Sequence, residues 1–482
     1  MATRAAAASG RSAILAAVLS FVLPGLGQSW LGSVRRGLVL AVPVLLLVGF
    51  GIGTLMFQGR VRTLGLLLQP GVLITLLVLN AALLAWRAGA IVDAFALARR
   101  RGFARPGPSR NGTLAIAALA VLLVATLGMH AGVGYIGLKT YDTITTVFAT
   151  LEPSPSPPAE PTVRPSGSVA PTTTPQPTPA PTPVPRWSDD GRLDLLLVGG
   201  DAGPGRWSLR TDTMILLSVE VATGRAAMFG IPRNMTNVPL PEGPAAAFPD
   251  CDCYPDLINS LYVYAGDHPE IFRGGDARGY LALQDAVSEL VDRPVDGMLV
   301  VTLQGFVRLV DALGGLDIYT PYSLYDATYP HEDGIHHEVL WIPAGQHHFD
   351  GHTALAFARS RHQDTDYDRM WRQQLVLTAM RRQTCPGDLV LRIPELLDIA
   401  RDSLWTNVPI EDLPDLLQLA NGVKAEGIGR YQFWPPDIPG TLTPRGIALI
   451  RGMVVDAFAA SASESPGASA VATPTPPADD GC

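Results

Sequence analysis

Arg359 and Arg361 stand two residues apart, so on an extended segment both guanidiniums leave the same face of the chain. Two such forks can close on a pyrophosphate through paired, charge-assisted hydrogen bonds, which the point charge of a lysine does poorly. Arg369 and Gln373 are four apart on the helix whose pattern is read over residues 370–381 and begins beside Arg369, share a face there, and extend the clamp. Asp201 and Asp212 end and begin neighbouring strands, and two carboxylates joined by phosphate oxygens and water suit Mg2+. The chemistry these types serve is phosphoryl transfer, in which fixed cations hold developing charge. Each has a plainer reading beside it: a solvated ion pair for the arginines, turn chemistry beside glycine for the aspartates, a polar helix face for Arg369 and Gln373.

These side chains need a scaffold. Residues 193–199 read as a buried strand, and residues 213–221 and 225–231 as two more, joined at Ala222-Thr223-Gly224. Helical periodicity follows over residues 280–291, 303–313, 370–381 and 448–459, with a further strand over 298–301. Mixed strands and helices predict an α/β sandwich whose polar residues gather where strands end. The glycines between 199 and 205 lack the spacing and the following helix of a dinucleotide fingerprint.

Three stretches carry a resemblance through their order and spacing. They are Gly199-Gly200-Asp201-Ala202-Gly203 with Arg210-Thr211-Asp212, then Ile231-Pro232-Arg233-Asn234, then Ala358-Arg359-Ser360-Arg361 running on to Asp366-Tyr367-Asp368-Arg369-Met370-Trp371-Arg372-Gln373-Gln374. With Gly314-Gly315-Leu316-Asp317 and Gly345-Gln346-His347-His348-Phe349-Asp350-Gly351, the chain resembles the LytR-CpsA-Psr family over most of residues 193–385. The resemblance implies a membrane-anchored α-β-α sandwich on the outer side of the cell membrane, with an apolar tunnel for a polyprenyl-pyrophosphate carrier. It implies transfer of the carrier's glycopolymer to a peptidoglycan hydroxyl, with release of polyprenyl phosphate. By the same resemblance Asp201 and Asp212 hold Mg2+, and Arg233, Arg359, Arg361, Arg369 and Gln373 contact the pyrophosphate. Asp212, Arg233, Arg359 and Arg361 then form the catalytic set, and either Asp366 or Asp368 serves as base. The family usually carries Asp after the Pro-Arg of the second stretch, where this chain has Asn234, so one acceptor charge is missing. Two rivals accompany this reading: a pyrophosphatase that uses water as acceptor, and a non-catalytic envelope regulator that senses lipid-linked intermediates.

Composition sets the surroundings. With 47% hydrophobic and 17% charged residues among 482, the chain is neither largely disordered nor purely soluble by expectation. Residues 1–111 carry 12 Arg and one acid, Asp93, whereas the remainder carries 24 basic and 43 acidic residues, a balance that argues against nucleic acid as a partner. Apolar runs over residues 37–57, 64–86 and 113–135 are each long enough to cross a membrane. Residues 13–32 are broken by Pro24-Gly25-Leu26-Gly27-Gln28 and predict a kinked span or a re-entrant hairpin. The arginine-rich stretch 87–110 belongs in the cytoplasm, which favours the re-entrant form and sends everything after Tyr135 outside.

The expected plan is therefore a multi-span membrane domain over 1–140, a linker over 152–186, an extracytoplasmic domain over 193–460 and a disordered tail over 461–482. The linker holds 13 prolines and favours extended polyproline II. Of Cys251, Cys253, Cys385 and Cys482, the pairing expected outside the cell is Cys385 with Cys251 or Cys253. Seven of nine histidines fall between 331 and 362, but no His-Glu-x-x-His occurs and His348 with His352 lacks a fixed third ligand, which weakens a zinc hydrolase.

Overall fold

A computed structural model of the chain describes residues 3–100, 110–148, 190–200, 211–330, 336–383, 392–424 and 427–459. The expected linker and tail lie outside these. Two compact units form, Met1–Thr145 with Leu413–Gln418, and Thr146–Asp412 with Leu419–Cys482.

The first unit contains helices α1 (Thr3–Val22), α2 (Leu26–Trp30), α3 (Val34–Gln58), α4 (Arg60–Leu67), α5 (Pro70–Ala98) and α6 (Arg110–Val147). Among the described residues, α3, α5 and residues Thr113–Val147 of α6 are long and apolar enough to cross a membrane. The Pro-Gly-Leu-Gly-Gln run separates α1 from α2, with Gly25 at φ +94°. Its glycines also permit close packing. A Cβ on Gly25 would meet the Gly37 carbonyl oxygen at 2.0 Å, and one on Gly27 the Ala16 oxygen at 2.1 Å. Gln28 is buried and donates to the Ala90 carbonyl at 2.9 Å and to Asp93 at 3.1 Å, so the run is a packing joint as well as a break.

The second unit runs β1 (Arg192–Gly200), β2 (Thr211–Glu220), β3 (Ala226–Gly230), β4 (Val238–Pro239), α7 (Glu242–Ala245), β5 (Cys253–Tyr254), α8 (Leu261–Asp267), α9 (Arg278–Val291), β6 (Gly297–Thr302) and α10 (Leu303–Leu313). It continues with β7 (Leu316–Thr320), β8 (Leu324–Pro330), β9 (His337–Ile342), β10 (Gly345–Phe349), α11 (Gly351–Arg359), α12 (Asp366–Gln383), α13 (Ile393–Ser403), β11 (Leu404–Thr406), β12 (Ile428–Gln432) and α14 (Pro444–Ala459). The main sheet has the order β11-β6-β1-β2-β3-β12, with β1 parallel to β6 and antiparallel to β2.

Period-two alternation gives this sheet two apolar faces. Leu196 and Val198 of β1, Met214 and Leu216 of β2, and Met298 and Val300 of β6 pack on α9 and α14 through Leu283, Ala286, Val287, Ile450 and Val454. Their neighbours Leu197, Ile215, Leu299 and Val301 turn the other way, toward α10, α11 and α12. A second core, including Leu316, Ile318, Tyr329, Ile342, Phe349, Phe357 and Val376, joins these helices to the pairs β7–β10 and β8–β9. Helices thus flank both faces of the sheet, and the α-β-α sandwich expected from the sequence is what the chain adopts.

One expectation is overturned. Cys251 bonds to Cys253, not to Cys385, across a tight turn in which Asp252 takes φ +50°. Cys385 and Cys482 lie outside the described residues.

Candidate functional site

A cavity of about 990 Å3 lies between the second face of the sheet and α10–α12. Its character changes along α12, whose residues Asp366, Arg369, Gln373, Val376 and Met380 recur at helical spacing and all line it. The first turns present charge and the later ones hydrocarbon. Leu299 and Val301 of β6 and Phe306 and Leu309 of α10 complete the apolar part, while Asp212 and Arg233 join the polar end. Two amides pin α12 to the sheet: Gln373 Nε2 donates to Thr213 Oγ1 at 2.8 Å, and Gln374 Nε2 to the Tyr431 carbonyl at 2.8 Å.

At the polar end, Arg233 Nη1 donates to Asp212 Oδ1 at 2.8 Å and Arg233 Nε to Asp366 Oδ2 at 3.4 Å. The other Asp366 oxygen lies 3.5 Å from Arg361 Nη1 and 3.6 Å from Arg369 Nη1, so one carboxylate gathers three guanidiniums. Arg369 is 3% exposed and donates Nη2 to the Asp212 carbonyl at 3.0 Å, while its Nε and the Gln373 Oε1 are buried with no hydrogen-bond partner among the described residues. Buried orphans of this kind call for a ligand or water. Burial pushes the Asp212 carboxyl up, but hydrogen bonding and charge from Arg233, aided by Asn259 and Arg369, outweigh it and hold the group below the ordinary carboxylate range. Burial likewise pulls the Arg369 guanidinium below its usual value.

The arginine pair is built differently from the extended segment that the spacing suggested. Arg359 closes α11 and Ser360 caps it, so the pair straddles a helix end. Arg359 Nη1 donates to the Pro330 carbonyl at 3.4 Å, with its guanidinium 6.0 Å from the Tyr329 ring centre, whereas Arg361 turns to Asp366. Both still line the cavity. The link that carries Arg361 is held from below by Arg372, fully buried, which donates to the Phe357 carbonyl at 2.6 Å, to the Ser360 carbonyl and to the Asp364 carboxylate. The lining holds four guanidiniums and, with Asp364 paired to the buried Arg372 behind it, the carboxylates of Asp212, Asp326, Asp364 and Asp366.

The structure thus brings together Asp212, Arg233, Arg359, Arg361, Arg369 and Gln373 around one cavity, and Asp201 lies outside the described residues. Asp366 and Asp368 separate by position. Asp366 lines the cavity, while Asp368 accepts from Thr365 N at 3.0 Å and from its hydroxyl at 2.6 Å, a capping box at the start of α12. Asn234 is exposed and does not line the cavity, so its replacement of the family's Asp removes no charge from the lining. His348 pairs with Asp317 at 2.7 Å and His352 with Glu338 at 2.6 Å, two separate contacts. Sequence reasoning gave no role to Asn259, whose Nδ2 donates to Asp212 Oδ1 at 3.1 Å, or to Arg372, although Arg372 stands in the third stretch three residues after Arg369.

The profile of the LytR_cpsA_psr family matches residues 167–437, more than half of the chain. The chain is 25% identical over 253 residues to Biofilm regulatory protein A of Streptococcus mutans, covering 51% of this chain and 57% of that protein. It is 25% identical over 226 residues to the polyisoprenyl-teichoic acid–peptidoglycan teichoic acid transferase TagU of Halalkalibacterium halodurans, covering 46% and 64%. The chain therefore spans less than two thirds of the length of these relatives. The crystal structure of B. subtilis TagV matches with 20% identity and a TM-score of 0.41, over 56% of this chain and 98% of that one. The chain belongs to the LytR_cpsA_psr family.

Proposed function

We propose that this protein moves a glycopolymer from a polyprenyl-pyrophosphate carrier to a peptidoglycan hydroxyl and releases polyprenyl phosphate. One observation carries the reading: a single cavity passes from guanidiniums to hydrocarbon, which suits a ligand with a doubly phosphorylated head and a long apolar tail. The similar TagU protein is named a teichoic acid transferase, which supports the same class. In this reading α3, α5 and α6 form a multi-pass anchor and the second unit works on the extracytoplasmic side.

Arg233, Arg359, Arg361 and Arg369 hold the pyrophosphate, and Gln373 donates beside them. The acceptor oxygen attacks the sugar-proximal phosphorus, the bond from that phosphorus to the lipid phosphate oxygen breaks, and the lipid leaves as its monophosphate. The acceptor's proton passes to Asp366, which lines the same end of the cavity. The guanidiniums stabilise the charge that gathers on the departing phosphate. The pyrophosphate bond supplies the driving energy, so no nucleotide is consumed.

Asp212 fits a place at a Mg2+ ion: Arg233 and Asn259 take its Oδ1, no described residue bonds its Oδ2, and it lines the cavity. Asp201 is its proposed companion. When bound, the ion would supply further positive charge to the phosphate oxygens.

Full-length protein purified from bacterial membranes is expected to yield a prenyl lipid by extraction and mass measurement, and to release polyprenyl phosphate when a glycan acceptor is added. Protein that neither carries nor binds a prenyl pyrophosphate would overturn the proposal. Release at full rate without an acceptor would replace transfer by hydrolysis.

A further inference from the structure

Helix α12 has a second face that the cavity does not use. Tyr367 and Trp371 are four residues apart, share that face, and are each partly exposed. Each ring is continued by another. Trp434 lies against Tyr367 with ring centres 5.6 Å apart, and Tyr322 against Trp371 at 6.2 Å. Trp434 is 44% exposed and Tyr322 38%. Four aromatic side chains therefore form a strip along the outside of α12, and it begins one residue from Asp366, the carboxylate that gathers the arginines.

Aromatic surface left in water gains nothing from folding, so a row of such rings beside a binding cavity calls for an occupant. The charges nearby narrow its chemistry. Asp437 follows Trp434 in a turn closed by Ile438 N on the Trp434 carbonyl at 3.0 Å, and Asp368 sits between Tyr367 and Trp371 in the chain. Carboxylates here repel an anionic bilayer, whose docking surfaces are rich in Lys and Arg. They accept hydroxyl protons well. Flat aromatic faces beside hydroxyl acceptors match the C–H faces and equatorial hydroxyls of pyranose rings.

We propose that the Trp434–Tyr367–Trp371–Tyr322 strip is a saccharide platform that stacks uncharged sugar rings of a glycan whose phosphorylated end reaches the arginines. This rests on the cavity being a prenyl-pyrophosphate glycan site. It adds a subsite outside the cavity and names what fills it.

The test uses the full chain in detergent micelles and three probes: a soluble uncharged N-acetylhexosamine oligosaccharide, farnesyl pyrophosphate, and anionic phospholipid vesicles. Indole fluorescence or calorimetry reads the first two, and flotation the third. Wild type is expected to bind the oligosaccharide. Trp434→Ala, an exposed position where the fold is expected to survive, and Trp371→Ala are each expected to weaken that binding about tenfold, with Trp434→Phe restoring most of it. Farnesyl pyrophosphate binding should stay unchanged in all three.

Failure of wild type to bind the oligosaccharide, or equal oligosaccharide affinity in wild type and Trp434→Ala, would overturn the platform. Loss of vesicle flotation in Trp434→Ala with oligosaccharide affinity intact would overturn it in favour of a bilayer contact. Absence of farnesyl pyrophosphate binding in wild type would sink the pyrophosphate reading instead, and the oligosaccharide titration would still decide the platform. The oligosaccharide is expected to compete with a lipid-linked glycan, and simultaneous binding of the two would overturn the assignment of the strip to that glycan.

Discussion

Two arginine–aspartate clusters sit at opposite ends of β1, and they differ in what they face. At the C-terminal end, Arg233, Arg359, Arg361 and Arg369 line a cavity together with Asp212, Asp326, Asp364 and Asp366. At the N-terminal end, Arg293 bridges Asp190 at 2.5 Å and Asp194 at 2.9 Å, Asp296 accepts from the Asp194 backbone N–H at 2.8 Å, and Arg192 bonds Ser218 at 2.9 Å. Three carboxylates there meet two guanidiniums, and Asp194 is 1% exposed. Both clusters use the same ion pairs. The first lines a cavity, at the sheet edge where α/β folds place ligands. Charged groups facing a cavity separate a binding site from a structural network, which a count of salt bridges does not do.

The largest expected effect breaks the structural cluster. Arg293→Ala strands Asp194 in the interior and should cost about 3–5 kcal/mol in denaturant unfolding, with farnesyl pyrophosphate affinity of the surviving folded protein unchanged. Next come the two faces of the sheet. Leu196→Ala in the packed core should cost roughly 2–5 kcal/mol, whereas Leu197→Ala, which faces the cavity, should cost under about 1 kcal/mol and instead weaken prenyl-chain binding. Equal losses of stability from both would show that the cavity face is packed in solution.

Arg361→Ala should leave stability within about 0.5 kcal/mol, because the side chain is exposed, yet weaken pyrophosphate binding by about 1.5–3 kcal/mol in a titration. A smaller contrast lies in pH. Burial first, then charge repulsion from Asp194 and Asp190, pushes the Asp296 carboxyl up to about 6 from an ordinary 3.8. The folded state then binds more protons between these values, so stability contributed there falls as pH rises through that window. Asp212 is held low, so its contribution has the opposite slope and is lost as pH falls below the ordinary carboxylate range. Asp296→Asn should therefore raise the midpoint of thermal unfolding at pH 7 by the equivalent of about 1 kcal/mol after screening, with the gain gone at pH 4.

The sequence made the strands and helices of the main sheet legible because their apolar residues alternate or recur with one period. β1, β6, α9 and α10 lie within a few residues of where periodicity put them. The strands β7–β10 were not legible, since they are short and rich in His, Asp and Tyr, and β7 pairs with β10 across the intervening β8–β9 pair. The helical seat of Arg359 was hidden by a two-residue spacing that suits a strand or a helix end equally. A capping signal upstream, Asp350 accepting from Thr353 N at 2.8 Å, could have revealed it. The Thr365-x-x-Asp368 capping box could likewise have separated Asp368 from Asp366. The bond between Cys251 and Cys253 depends on one positive φ at Asp252, which counting cysteines does not expose.

The hollow between the sheet and α10–α12 has a thermodynamic corollary. A guest hydrocarbon there would complete an interior layer that the polypeptide leaves unfinished, so cargo and fold become linked equilibria. Heating curves of the purified protein would then double as an occupancy gauge. A preparation stripped of its greasy passenger would melt earlier than a loaded one, with no change in covalent structure.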